Sequence, residues 1–443
     1  MDPIYSKIKR MLLFLLITAA LFGMTSCGGM APKGDPAQEI IYDTDYSITY
    51  YYGPNADQFT EEEVIRMKEA GFDMIPLQRF SRDIEKNKEA LSLLAKHGLN
   101  AALTEGRIAD VYYASPEPSQ EKVDEVVAEV VADYAEFDNL KEWILCDEPT
   151  AAKFSILGKL VDAFRRLDPG RKTFINLLPN YAVPDMLGTE DYETYLTDFC
   201  EIVKPDYLCY DNYEFIGAWD TTQRRGLYLS NMEIARKVAD KYGLETRVIV
   251  LLTKHGPYSY VSAAEIAWQS NTSLLYGMKG LSFFTYWLPD DDDSFVWSEA
   301  MINEESEPTE HYYNVQSQNK TTRVLGNALY NTNVEKVFKL NAPAVTEEIE
   351  EYTSYGVLKN VEKGEELLLS FYENGWFMVM NANSVGNTAR LETKKLSGTL
   401  YWLNPETGKW EAVSSCPYLR LSEDGKYTFK FQPGEAVLLR TAK

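Results

Sequence analysis

Histidine is scarce in this chain, with three in 443 residues. Neither the HExxH helix of zinc proteases nor a recognisable nucleophile–His–acid triad is present, so no metal site is predicted. Cysteine is little used: Cys27, Cys146, Cys200, Cys209 and Cys416 show no CxxC or other metal-ligand spacing. No glycine-rich phosphate turn follows the first strand, which removes the nucleotide-binding classes and implies no cofactor. Positive charge is in the minority, 44 Lys and Arg against 67 Asp and Glu, for a formal net charge of −23. Such a balance argues against nucleic acid and other polyanions as partners and favours solubility. The apolar run Met11–Gly23 is shorter than the about 20 residues a spanning helix needs.

That run is informative for a different reason. Lys7, Lys9 and Arg10 precede it and Met24-Thr25-Ser26-Cys27 closes it, the layout of a secretory signal. The last four residues resemble the lipobox of bacterial lipoproteins, which implies cleavage before Cys27 and diacylation of that cysteine. Residues 1–26 are thus expected to be a lipoprotein signal peptide and 27–39 a flexible tether. The mature protein is expected to be exported and lipid-anchored in the cell envelope, at the outer membrane or cell surface. The other four cysteines are expected to be buried free thiols. Aromatic residues make up 13% of the chain, with 30 Tyr and 8 Trp. Sugar rings stack their apolar faces on such side chains, so the abundance is suggestive of carbohydrate.

From Ile40 onward short apolar strands alternate with amphipathic helices. Eight strands are read, at Ser47–Pro54, Asp73–Arg79, Asn100–Gly106, Glu142–Pro149, Lys172–Asn180, Asp206–Phe215, Thr246–Gly256 and Lys279–Trp287. The first helix opens on Thr60 with Glu63 three residues later, a capping-box pattern, and Gly98 is placed to end the second. The helix around residues 120–134 carries Val123, Val126, Val127, Val130, Val131 and Tyr134 at a 3.6-residue period. Eight strand–helix units in one run predict a closed (β/α)8 barrel over residues 40–332. After Asn331 the pattern changes to short strands of period two divided by ENG, NPETG, EDG and QPG. Residues 333–443 are therefore predicted to form an antiparallel β-sandwich, whose expected role is to pack against the barrel. Nothing in the pattern specifies an oligomeric state.

In such a barrel, chemistry sits at the C-terminal ends of the strands. The polar residues falling there are Glu105, Asp147, Glu148, Asn176, Asn180, Tyr210, Asp211, Tyr213, Glu214, Thr253, Lys254, His255, Tyr286 and Trp287, followed by the acidic run Asp290–Asp293. The most telling segment is Ile144-Leu145-Cys146-Asp147-Glu148-Pro149, two adjacent carboxylates at the rim of an apolar strand. Desolvation and a like-charged neighbour both raise a carboxyl pKa. That suits a general acid that protonates a departing glycosidic oxygen, and Glu148 is assigned this role. Asp147 either tunes it, orients substrate, or caps the following helix. Asn176, Asn180 and His255 are candidate contacts to sugar hydroxyls.

Taken in order, Tyr51–Pro54 (YYGP), Glu69–Asp73 (EAGFD), Trp143–Pro149 (WILCDEP), Ile175–Tyr181 (INLLPNY), Tyr210–Phe215 (YDNYEF) and Gly280–Trp287 (GLSFFTYW) resemble the barrel glycoside hydrolases of the large retaining clan A. More particularly, they resemble β-galactosidase-like lipoproteins of polysaccharide-utilising bacteria. The resemblance implies a Glu acid/base at the end of strand four, matched by Glu148, and an aromatic floor at the end of strand eight, matched by Trp287. The clan's usual Asn before the acid is Asp147 here. Its nucleophile, a Glu ending strand seven, has no counterpart, because Val248–Gly256 reads VIVLLTKHG and no carboxylate follows before Glu265. Three explanations stand. Asp211, or less readily Glu105 or Glu214, takes the part. Alternatively the Asp147–Glu148 pair, with Tyr210, Asp211 and Trp287, is similar to the hexosaminidase layout in which the substrate's own acetamido group attacks. Lastly, the site only binds glycan. The expectation is a glycoside hydrolase acting on an oligosaccharide or polysaccharide, with Asp147, Glu148 and Asp211 as catalytic residues. Glu105, Asn176, Asn180, Tyr210, Tyr213, His255, Tyr286 and Trp287 are expected to contact substrate.

Overall fold

The computed structural model describes residues 46–78, 82–217, 222–290, 296–342, 349–364, 366–394, 398–421 and 426–442. The chain divides into two units, Met1–Pro36 and Ala37–Lys443, and everything described belongs to the second. Cys27, the signal and the tether lie outside the described residues, as do Asp291–Asp293. Among the described residues no helix is long and apolar enough to cross a membrane.

Eight parallel strands form one sheet: β1 (Ser47–Tyr51), β2 (Met74–Leu77), β3 (Asn100–Thr104), β4 (Leu140–Asp147), β5 (Lys172–Leu177), β6 (Tyr207–Asn212), β7 (Glu245–Leu251) and β8 (Gly280–Phe284). The order runs β2 to β8 in sequence and then returns to β1, which pairs with β8 from Ser47↔Gly280 to Tyr51↔Phe284. Side chains complete the seam between β1 and β2. Ile48 N donates to Asp73 Oδ1 at 2.8 Å, Thr49 Oγ1 to the Met74 carbonyl at 2.6 Å, and Tyr52 N to Gln78 Oε1 at 2.8 Å. The sheet is a closed barrel.

Helices α1 (Glu61–Glu69), α2 (Ile84–Lys96), α3 (Gly106–Tyr113), α4 (Gln120–Asp133), α5 (Phe154–Leu167), α6 (Tyr192–Ile202), α7 (Thr222–Tyr242), α8 (Ala263–Leu275) and α9 (Glu310–Leu329) clothe it. Thr60 caps α1 by accepting from Glu63 N. The reciprocal half of the expected box is missing, because the buried Glu63 carboxylate is used by Arg66 and the Tyr286 hydroxyl. The full capping box occurs instead at Ser262 and Glu265, opening α8. Helix α3 is an addition to the simple strand–helix alternation.

The N-terminal end of the barrel is plugged by charge. Arg247 pairs with Glu142 at 2.7 Å, Tyr207 donates to the other Glu142 oxygen at 2.9 Å, and the guanidinium lies 3.9 Å from the Tyr207 ring centroid. All three residues are buried, so the plug persists only because each charge is paired and hydrogen-bonded.

Beyond α9 the chain forms two antiparallel sheets. One contains β9 (Val334–Leu340), β11 (Leu367–Tyr372), β12 (Phe377–Asn381), β14 (Thr399–Asn404), β15 (Lys409–Ala412) and β18 (Ala436–Ala442), with Glu350–Glu351 on its edge. The other contains β10 (Leu358–Lys363), β13 (Asn387–Thr393), β16 (Leu419–Leu421) and β17 (Tyr427–Phe431). Leu369, Phe371, Phe377, Val379, Leu391, Phe429 and Leu439 fill the space between them. The expected alternation of buried and exposed positions is absent from β11 and β12, which are buried at every position. Their second face, with Leu368, Tyr372, Met378 and Met380, joins the core of the barrel. A sheet covered on both sides needs no polar face.

Helix α8 is what covers it. Asn271 Nδ2 donates to the Gly434 carbonyl at 2.8 Å and the Tyr372 hydroxyl to the Leu274 carbonyl at 3.0 Å. Gly434 has φ 75°, and a Cβ there would lie 2.4 Å from the Ala264 carbonyl oxygen. Only glycine fits so close an approach.

Candidate active site

The ends of β4, β5 and β6 bring together the acidic residues singled out in the sequence. β4 and β5 are in register at Asp147↔Asn176, and β5 and β6 at Asn176↔Cys209. Period-two alternation then turns Asp147, Asn176 and Asp211 toward the barrel axis. Asn176 is buried, and its amide donates one hydrogen to Asp147 Oδ1 and the other to Asp211 Oδ1, both at 2.9 Å. The Asp147 carboxylate also accepts from the Tyr51 hydroxyl, and the carboxyls of Glu148 and Asp211 are hydrogen-bonded to each other. Tyr51 was not singled out in the sequence, where it is one of three successive tyrosines. Only barrel closure, which puts β1 opposite β4, gives it a role.

Glu148 follows the last residue of β4 with φ 45°, a left-handed conformation rare for any residue but glycine. It is held there from both sides. Glu148 N donates to the Asn176 carbonyl at 2.8 Å, and the carbonyl of the next residue, Pro149, accepts the Tyr195 hydroxyl at 2.6 Å. Asp147 caps no helix: the next helical turn begins at Ala151, and α5 at Phe154. Strain retained at a rim carboxylate by surrounding hydrogen bonds is the pattern of a functional residue.

The electrostatics follow from burial. Asp147 and Glu148 keep exposed surface, yet protein surrounds both and lowers their solvation. That raises the Asp147 carboxyl, against the opposing hydrogen bonds from Asn176 and Tyr51. It also raises Glu148, with the Asp147 charge adding to the effect. Asp211 is fully enclosed. Burial first, then the charges of Glu148 and Asp147, drive its carboxyl well above the ordinary range. Asp211 is thus the strongest proton holder of the trio, and Asp147 and Glu148 are the members that reach solvent.

An aromatic wall adjoins the carboxylates. Phe284, the last residue of β8, stacks on Tyr213 with centroids 5.3 Å apart. His255 meets Phe284 edge-on at 5.5 Å and stacks on Trp297 at 4.5 Å. His255 Nδ1 lies 2.8 Å from the Thr253 carbonyl oxygen, which only accepts, so this nitrogen carries the hydrogen. Burial lowers the imidazole pKa and keeps the ring neutral.

Five expected contacts are not delivered to the mouth. Glu105 is buried as the N-cap of α3, where it accepts from the backbone of Arg107 and Ile108 and pairs with the Arg107 side chain. Asn180 gives its amide to the Leu227 carbonyl. Tyr210 points to the helix side of the sheet and is fully buried. Tyr286 is buried on Glu63 and Tyr50. Trp287 packs into the core and bridges to Ile302. The chain leaves β8 at Phe284, three residues earlier than expected, so Phe284 holds the strand-end aromatic position assigned to Trp287. Glu214 is buried as well. β7 ends at Leu251, and the Thr253 hydroxyl beyond it is engaged with Thr285. Among the described residues no group of three or more His, Cys, Asp or Glu is arranged to hold a metal ion, and Cys146, Cys200, Cys209 and Cys416 are buried free thiols.

No protein-family model matches the sequence, and none of the curated proteins does. Solved structures do. The chain is similar to a β-galactosidase from Bacillus circulans sp. alkalophilus, with 9% identity, TM-score 0.59, and 90% of this chain and 99% of that one covered. It is also similar to a family 5 glycoside hydrolase from Bacteroides vulgatus ATCC 8482, with 11% identity, TM-score 0.54, and coverage of 87% and 85%. A further glycoside hydrolase matches at 12% identity and TM-score 0.52, covering 87% and 88%. Coverage of this extent takes in both the barrel and the sandwich. At such identities the likeness is one of fold, and its neighbours are glycoside hydrolases.

Proposed function

We propose that this protein is a glycoside hydrolase in which Glu148 delivers a proton to the oxygen joining two saccharide units. The observation that carries the reading is the Asp147–Asn176–Asp211–Glu148 network at the C-terminal mouth of the barrel. A rim carboxyl whose hold on its proton is strengthened by burial and by the neighbouring Asp147 charge is suited to leaving-group protonation. Asp211, out of contact with solvent, shares this proton with Glu148; after Glu148 has given it to the departing oxygen, the water that completes hydrolysis returns a proton to Glu148 and restores the pair. The direct test is turnover of aryl glycosides and oligosaccharides by wild type and Glu148→Gln. Undiminished hydrolysis by the variant removes Glu148 from the role. Tight glycan binding without turnover by wild type supports a non-catalytic glycan-binding protein instead.

One observation favours a substrate-assisted variant of this reaction. Retaining pairs of carboxyls stand about 5–5.5 Å apart and inverting pairs about 6.5–9.5 Å, whereas Asp211 touches Glu148. Asp211 does not stand across a gap from the acid, as the expected nucleophile would. Asp147, fixed by Asn176 and Tyr51 and open to solvent, is suited to accept the N–H of a substrate acetamido group whose oxygen attacks the anomeric carbon. The signal-like segment ending in Cys27 supports the further proposal that the protein is held by a lipid anchor in the bacterial cell envelope.

A further inference from the structure

Between the charged plug and the carboxylates at the mouth, the barrel is not solidly packed. Period-two alternation turns Ser47 and Thr49 of β1, Ala102 of β3, and Gly280 and Ser282 of β8 toward the axis. Barrel interiors are ordinarily filled by bulky branched side chains, and these small ones leave a cavity. Its walls also include Tyr51, Glu142 and Arg247, so it runs from the plug to the tyrosine that bonds Asp147. It leaves about 30 Å³ for the centres of water molecules.

Three polar groups converge on this space. Gly280 is in register with Ser47 on one side and with Arg247 on the other. Partners in register on parallel strands face the same way, and Ser282 follows two residues on. The three side chains therefore surround the place where Gly280 has none. A Cβ on Gly280 would lie 2.9 Å from Arg247 Cδ and 3.3 Å from its Nε, so glycine is what admits the guanidinium. Ser47, Arg247 and Ser282 are 5%, 8% and 6% exposed. Among the described residues none bonds the hydroxyl of Ser47, the hydroxyl of Ser282 or the Nε of Arg247. The Arg247 bond to Glu142 uses Nη1 instead.

Buried polar groups are rarely left unbonded. A bound water needs about 10–15 Å³ of such space and two to four polar partners. The Nε–H donates, and each hydroxyl both donates and accepts. An ion is not called for, because Glu142 already neutralises Arg247. We propose that the barrel interior is a hydration site in which about two water molecules bridge Arg247 Nε to the hydroxyls of Ser47 and Ser282. This water completes the hydrogen bonding of the plug and lies beneath the acid trio. It does not depend on the glycosidase reading.

A high-resolution crystal structure of the protein tests the site directly. Ordered water is expected within about 2.7–3.2 Å of Arg247 Nε and of at least one of the two hydroxyls. No ordered density beside the three groups, or an Nε that bonds a protein atom, overturns the proposal. Calorimetric melting of Ser47→Ala, Ser282→Ala and the double variant tests it in solution through the sign of the change. Where water bridges the groups, each Ala removes a partner from it, and Tm is expected to fall by about 1–3 °C, further in the double variant. Where the cavity is dry, each Ala relieves an unbonded buried hydroxyl, and Tm does not fall. An unchanged or raised Tm in both single variants overturns the proposal.

Discussion

The backbone N–H of Glu148 donates to the carbonyl of Asn176 at 2.8 Å, tying the strained end of β4 to the strand beside it. The same asparagine uses its side chain on Asp147 and Asp211. One residue of β5 thus sets the conformation of the proposed acid and the charge state of its neighbours. The expected contact between Asn176 and a sugar hydroxyl gives way to this role, since both amide hydrogens are committed.

Replacing Asn176 by Ala should therefore act through pH. Its hydrogen bonds lower the Asp147 and Asp211 carboxyls against burial, so their loss moves both upward. The acidic limb of the kcat/KM profile is expected to shift to higher pH, with at least a tenfold fall in activity at the former optimum. Tyr51→Phe removes only the bond to Asp147 and should give a smaller shift of the same sign. An unmoved limb in both variants would show that Asp147 does not act in its ionised form.

Asp211 makes a prediction about stability. Its carboxyl is raised in the folded chain above the ordinary value of about 3.9. Whatever stability it contributes is complete below that ordinary value and is lost as pH rises through the folded one. Asp211→Asn, similar in size and unable to ionise, should melt above wild type at pH 7 and show little advantage near about pH 3. A variant that melts lower at pH 7 than wild type would contradict the raised carboxyl.

At the opposite end of the barrel, Arg247→Met leaves Glu142 buried without its cation. A loss of about 3–5 kcal/mol in denaturant unfolding is expected. The double replacement Glu142→Leu with Arg247→Met should recover much of it, because no orphaned charge remains. Additive losses in the double variant would mean that the two charges do not compensate each other and would contradict the account of the plug.

The barrel was legible because its alternation depends on local patterning: apolar strands, the cap at Thr60, and Gly98 with φ 70° after α2. The rim position of Glu148 was legible because a carboxylate pair at the end of an apolar strand is costly wherever the strand lies. Tyr51 and Trp297 were not, since each acquires its partner across the barrel or between two loops. Glu105 misled because a residue at a strand end is also where an N-cap stands, and the helix of Gly106–Tyr113 claims it. Trp287 misled because the sequence does not show where the chain turns from strand into core. The fully buried β11 and β12 were read as half-exposed, since the helix covering their second face lies about 100 positions away in the chain.

The measurement that bears most directly on the central claim is the dependence of hydrolysis on leaving-group acidity. Aryl glycosides spanning good to poor leaving groups should be cleaved by wild type with a shallow dependence. Glu148→Gln should cleave the poor ones about 10²–10⁴-fold more slowly while losing far less on the best. Parallel lines for the two proteins, or a loss that ignores the leaving group, would contradict Glu148 as the proton donor.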